Sequence, residues 1–164
     1  MAATYEPIAT ATVNTNVINF TGIPQTYTDL RVVVIGRSGN SATQLQLRLN
    51  NNSSSLYSWT FMRGFRGGSV QSAGSNNMTE IYVTDTGVGF DTTIPSTGFI
   101  DIFDYTSANN KPIQQLTYAD FNGSGCVQQG VNLFRSSAAI TSLYFFQSAG
   151  NFNGTITVYG IKAA

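Results

Sequence analysis

The sequence predicts an all-β fold, an antiparallel sandwich of about ten short strands with no long helix. Three observations carry that expectation. Charged residues are only 10% of the chain, well under the usual quarter or so, while hydrophobic residues are 41% and aromatics 12%. Thr, Ser, Asn and Gln supply the polarity instead, and Thr suits strands whereas Ser, Asn and Gly suit turns. Short apolar or alternating runs recur at spacings of roughly 8–14 residues, and no run of about ten follows a helical period.

The elements follow in order. Ala9 to Val13 is a Thr/Ala stretch of β type. Val17 to Phe20 is a second short run, stopped by Thr21-Gly22-Ile23-Pro24 because proline cannot donate to a ladder. Asp29 to Ile35 is apolar on both faces and predicts a strand covered on both sides. Gly36 to Ser41 reads as a turn. In Gln44 to Asn50, Leu45, Leu47 and Leu49 point one way and Gln44, Gln46 and Arg48 the other. A polar loop over 50–55 leads to Leu56–Phe65, which places Tyr57, Trp59 and Phe61 on one face.

After Arg66-Gly67-Gly68 a Ser/Gly/Asn stretch to Asn77 reads as a surface excursion. Thr79 to Thr84 is strand-like, and 85–97 reads as loop. Phe99 to Tyr105 is a second two-sided strand. Ser107 to Lys111 is a turn, Pro112 restarts the chain, and Ile113–Phe121 and Val131–Arg135 follow. The last stretch, Ile140 to Ala164, holds two β-rich runs around SAGNFNG and reads as a hairpin. Ile156 and Val158 fall on its core face, so this end is expected to be a central part of the sheet. All of residues 1–164 are read as one domain.

Two-sided apolar strands sit poorly in a lone two-layer sandwich, whose outer faces should be wet. An oligomer that covers the second face resolves the conflict. The formal net charge is zero, so neither nucleic acid nor an anionic membrane is attracted at long range. No stretch approaches the ~20 apolar residues of a membrane span. The N-terminus lacks the basic and apolar regions of a secretory signal. Cys126, the single cysteine, reads as a small semi-buried residue.

Catalytic chemistry has little to work with. The chain has no histidine, which removes the Ser-His-Asp and Cys-His arrangements and most zinc sites. No phosphate-binding glycine motif is present; Arg63-Gly64-Phe65-Arg66-Gly67-Gly68 lacks the lysine and the helix. Asp85 with Asp91, or Asp101 with Asp104, are the carboxylate pairs available to a glycosidase. Asp101 reads better as a paired interface carboxylate. Tyr57, Trp59, Phe61 and Phe65 could stack on sugars but at this spacing are more often core. No enzyme, cofactor or metal is expected.

The order of segments resembles a family of tailed-phage virion proteins. Thr4-Tyr5-Glu6-Pro7-Ile8-Ala9, then Ile23-Pro24-Gln25-Thr26-Tyr27-Thr28-Asp29-Leu30, is similar to its TYEPIAT and IPxTYTDL segments. The middle, Leu56-Tyr57-Ser58-Trp59, looks like its NYS-type strand. At the other end, Phe134-Arg135-Ser136-Ser137-Ala138-Ala139-Ile140-Thr141-Ser142, Gly150-Asn151-Phe152 and Val158-Tyr159-Gly160-Ile161-Lys162-Ala163 resemble its closing pattern. The resemblance implies a jelly-roll-like sandwich, a trimer, and a structural role on a virion without catalysis.

With Met1 read as its own start and no fibre shaft present, the chain is expected to be a capsid decoration or cement protein. It would sit on the capsid surface and tie major capsid subunits together. Arg63 and Arg66, beside the polar 67–77 stretch, and Trp59 are the expected partner contacts. The alternative is a tail-fibre or receptor-binding tip module that binds host surface glycan through the Tyr57–Phe65 region or the 67–77 stretch.

Overall fold

The computed structural model describes residues 4–40, 43–84 and 91–162. They form twelve strands: β1 (Thr4–Thr15), β2 (Val17–Thr21), β3 (Asp29–Ser38), β4 (Leu45–Leu49), β5 (Tyr57–Phe65), β6 (Gln71–Met78), β7 (Ile81–Tyr82), β8 (Ser96–Ile102), β9 (Lys111–Asp120), β10 (Gly125–Phe134), β11 (Ser142–Gln147) and β12 (Phe152–Lys162). The large sheet has eight strands in the order β1-β12-β3-β8-β9-β10-β5-β6, and the small one four, β2-β11-β4-β7. Every pairing is antiparallel. Most connections cross between the layers, so the fold is a jelly-roll-like β-sandwich of unequal sheets.

Alternation explains the core. Leu45, Leu47 and Leu49 of β4, Leu143 and Phe145 of β11, and Ile18 and Phe20 of β2 face inward from the small sheet. They meet Leu30, Val32 and Val34 of β3, Ile100 and Ile102 of β8, and Ile156 and Val158 of β12. Tyr57 closes the far side, stacked on Phe134 at 4.7 Å between ring centroids. Its hydroxyl accepts from the Leu49 amide at 3.1 Å and donates to the Asn52 carbonyl at 3.0 Å. Burial pushes this phenol up to about 12.

The unfolded chain ionises Tyr57 near the ordinary 10.0, so the contribution of this group is complete below that pH and is lost as pH rises from there towards 12. Thermal unfolding of the native protein should therefore fall more steeply with pH across that window than that of Tyr57→Phe. Parallel profiles would refute it.

The structure corrects several sequence expectations. The two terminal runs do not form a hairpin: β11 pairs with β2 and β4, and β12 with β1 and β3. Each run has one apolar face, and those faces meet across the core instead of lying side by side in one sheet. The turn expected from Gly36 is the end of β3, which runs to Ser38 against β12. The expected surface excursion holds a strand, β6, added to β5. Residues 71–77 of it are exposed, so no alternation marks it.

Strand β8 starts at Ser96 and stops at Ile102, short of the expected Tyr105. Asp104 takes a left-handed φ of 51°, and the buried Tyr105 hydroxyl donates to the Pro24 carbonyl. Strand β10 begins at Gly125, six residues before the expected Val131, because polar Gln128 and Asn132 occupy its inner face and hide the period. Strand β9 begins at Lys111 and takes Pro112 within it.

A close approach shapes the β3–β12 pair. Gly36 and Gly154 face each other in register, and the fully buried Phe152 ring lies over them. A Cβ at Gly36 would stand 2.5 Å from that ring. A Cβ at Gly154 would stand 2.2 Å from the Ile35 carbonyl oxygen.

Candidate functional site

Three of the segments that resemble the phage family, at 4–9, 23–30 and 158–163, meet in a packing cluster. Tyr27 donates to Glu6 Oε2 at 2.8 Å, Lys162 Nζ donates to Glu6 Oε1 at 3.4 Å, and the ammonium lies over the Tyr27 ring at 5.3 Å. Hydrogen bonds from Tyr27 and then Lys162 hold the Glu6 carboxyl below its ordinary range. The Tyr27 ring lies against Gly160, where a Cβ would meet it at 2.3 Å. These residues bind the chain's two ends to the 23–30 segment, so their spacing is explained by packing.

Two surfaces remain for function. The first is the outer face of the eight-stranded sheet. In register across it run Val33, Phe99, Leu116, Gln129 and Met62. Beside that row lie Ile35, Thr97, Tyr118 and Val127. Val131 and Met62 are 60% and 57% exposed, and Val127 and Ile35 are 53% and 50% exposed. Arg31 and Asp101 pair across β3 and β8 on the same face, with Nε and Nη2 donating to the two carboxylate oxygens at 2.6 and 2.7 Å. Asp101 is thus paired within the chain, and the pair leaves the face locally neutral.

The second surface is the inner face of β5, β10 and β6, where it extends past the edge of the small sheet. Trp59, Phe61, Arg63 and Phe65 line up along β5. Trp59 and Phe61 stack at 5.0 Å and 16°, and the Arg63 guanidinium lies 5.1 Å from the centroids of both Phe61 and Phe65. Arg63 Nε also donates to Gln71 Oε1 of β6 at 2.9 Å. Between this column and the β7 segment is a pocket of about 50 Å³ lined by Trp59, Phe61, Tyr82, Gln115, Gln128 and Asn132, among others.

Buried amides furnish the pocket. Gln115 Nε2 donates to the carbonyls of Tyr82 and Val83 at 2.7 and 2.9 Å, which ties β9 to the small sheet's edge. Asn132 Nδ2 donates to Gln115 Oε1 at 3.2 Å.

Of the three expected contacts, the structure brings Trp59 and Arg63 onto one face and separates Arg66 from them. Arg66 follows β5 in a turn closed by the Gly68 amide on the Phe65 carbonyl, and its Nη1 donates to the Gly123 carbonyl at 2.5 Å. Arg66 is therefore engaged within the chain. Sequence reasoning missed Gln115, Gln128 and Asn132, whose inward direction follows only from register. It also missed Val127 and Val131, although these alternate with Gln128, Gly130 and Asn132.

Reactive groups are engaged elsewhere. Lys111 is fully buried, and its Nζ donates to the carbonyls of Ser107 at 2.7 Å, Ser136 at 3.4 Å and Asn109. Burial lowers its pKa. Asp91 accepts from the amides of Thr93 and Ile94 and from the Thr93 hydroxyl, and that hydroxyl bond above all keeps its carboxyl below the usual range. Its proposed companion Asp85 lies outside the described residues. Cys126 is a buried thiol. Among the described residues no three His, Cys, Asp or Glu side chains gather as a metal site would require.

No protein-family model and no curated protein matches the chain. Among solved structures, galectin LEC-6 of Caenorhabditis elegans is similar with a TM-score of 0.44 and 7% identity, over 94% of this chain and 96% of that one. The structure of infectious bursal disease virus, Gx strain, gives a TM-score of 0.10 and 13% identity, over 97% of this chain and 38% of that one. Neither likeness carries an argument about what this chain does.

Proposed function

We propose that this chain is a structural protein of a tailed-phage virion, a decoration or cement protein that assembles as a homotrimer on the capsid surface. The observation that carries the reading is the outer face of the large sheet. Val33, Phe99, Leu116 and Met62 lie in one register row there with Gln129 between the last two, Ile35, Tyr118 and Val127 lie beside it with Thr97, and the Arg31–Asp101 pair on the same face is already satisfied. An apolar face of that kind is suited to burial against other protein. Stoichiometry and virion context rest on the resemblance in the terminal and 23–30 segments.

A protein that binds only the assembled lattice stabilises it by mass action. A trimer that engages several lattice sites gains further from effective concentration. Formal net charge is zero, so contacts to the major capsid protein are polar and apolar more than ionic. Binding is expected to weaken only slightly with salt. The chain does no chemistry in this role, and nucleic acid and membrane are not partners.

The isolated protein is expected to sediment as a trimer at micromolar concentration, and Val127→Glu with Val131→Glu as a monomer that unfolds normally. A native chain that is monomeric throughout the micromolar range would refute the assembly. Particles prepared without the protein should release DNA at a lower temperature than complete ones. Equal release temperatures combined with lost adsorption to host cells would favour the receptor-binding reading instead.

A further inference from the structure

The four most exposed of the large hydrophobic residues described, Val70, Val131, Met62 and Val127, belong to one part of the large sheet, the β5–β10 pair and the turn that leads from β5 to β6. Two open hollows share Val127 and Gly64 in their linings there. The larger, of about 400 Å³, is lined by Gly64, Tyr118, Asp120, Gly123, Gly125 and Val127, among others. The smaller, of about 230 Å³, is lined by Met62, Gly64, Val70, Leu116 and Val127, among others. Glycine at position 64 keeps both open, since a Cβ there would meet nothing within 4 Å.

Val70 is 70% exposed, more than any other large hydrophobic residue described. It ends the turn Gly67-Gly68-Ser69-Val70, in which the Gly68 amide closes on the Phe65 carbonyl and Gly67 takes a left-handed φ of 68°. The residues before the valine are small, so the turn is slender enough to follow it into a hollow. Val70 does not line the larger hollow of its own chain, so only a second copy can place it there. Charge favours the same occupant. Arg66 and Asp120 line that hollow with opposite charges, and both are bound to the Gly123 backbone. Residues 67–77 carry no charge at all. A neutral hollow thus meets a neutral turn, and an acidic or basic partner would gain nothing there.

We propose that Val70 of one copy enters the hollow around Gly64 and Gly125 of the next. The inference rests on the assembly reading above and names the contact that holds it. A protruding residue on one copy and a hollow on its neighbour make a head-to-tail contact, and three such contacts close a trimer. Val127 and Tyr118 belong both to this hollow and to the outer apolar rows, so the contact is continuous with the face already described.

The test is sedimentation of the native protein, Val70→Ser, Gly64→Gln and the double variant over a dilution series. Both substitutions spare the fold, one in an exposed turn and the other pointing into open space. Val70→Ser should raise the concentration at which the assembly dissociates by about tenfold or more, the worth of burying one valine side chain. Gly64→Gln, which fills the hollow, should weaken assembly as well. In the double variant Val70→Ser should add little, because the two changes act on one contact. A native protein that assembles while Val70→Ser dissociates as the native does would overturn the proposal and leave the trimer standing. Independent effects in the double variant would overturn it too. A native protein that is monomeric throughout would remove the assembly itself. If Gly64→Gln does not fold, Val70→Ser decides alone.

Discussion

Phe152→Ala is expected to cost about 3–5 kcal/mol of stability. Phe152 opens β12, is fully buried, and lies over Gly36 and Gly154, which have no side chains to refill the space. Removing the ring leaves a cavity floored by backbone, and backbone held in a ladder on both sides cannot collapse into it. The reverse change is also costly. Gly36→Ala puts a Cβ 2.5 Å from the ring and should lose about 1–3 kcal/mol by overpacking. The two effects are coupled through one contact, so Gly36→Ala should cost less in the Phe152→Ala background than alone. Urea unfolding of the two single variants and the double variant measures this, and strict additivity would show that the ring does not sit where it is described.

The second large effect is expected at Leu47. It is fully buried in β4, in register between Phe145 of β11 and Ile81 of β7, and belongs to the main core cluster. Leu47→Ala should cost about 2–5 kcal/mol. The small sheet is only four strands wide, so β4 supplies much of its inner surface. A loss near zero would mean that Leu45, Leu47 and Leu49 face outward and that the strand is one residue out of register, since a single slip exchanges the two faces.

The other face of β4 is less wet than alternation alone implied. Arg48 Nη2 donates to Glu80 Oε2 at 3.1 Å, its guanidinium lies 4.5 Å from the Phe146 ring centroid, and Gln46 is buried. Period-two patterning marks which residues go inward. It does not say what covers the residues that go outward.

Sequence alone determined the fold class, the inward set at Leu45, Leu47, Leu49, Val32, Val34, Ile156 and Val158, and the common face of Tyr57, Trp59 and Phe61. These follow from local chemistry: β-branched and aromatic residues at period two suit a half-buried strand wherever it pairs. Tertiary structure alone decided which runs become neighbours. It sent β11 and β12 to opposite sheets, made a strand of the polar 71–78 segment, and turned Gln115, Gln128 and Asn132 inward around a pocket. Pairing partners are set by which apolar faces can meet across the core, a property of the whole chain. An edge strand exposed on both faces carries no alternation, and a buried amide carries no apolar signal. The pocket residues and the outer apolar rows therefore become visible only when strands distant in sequence are laid side by side.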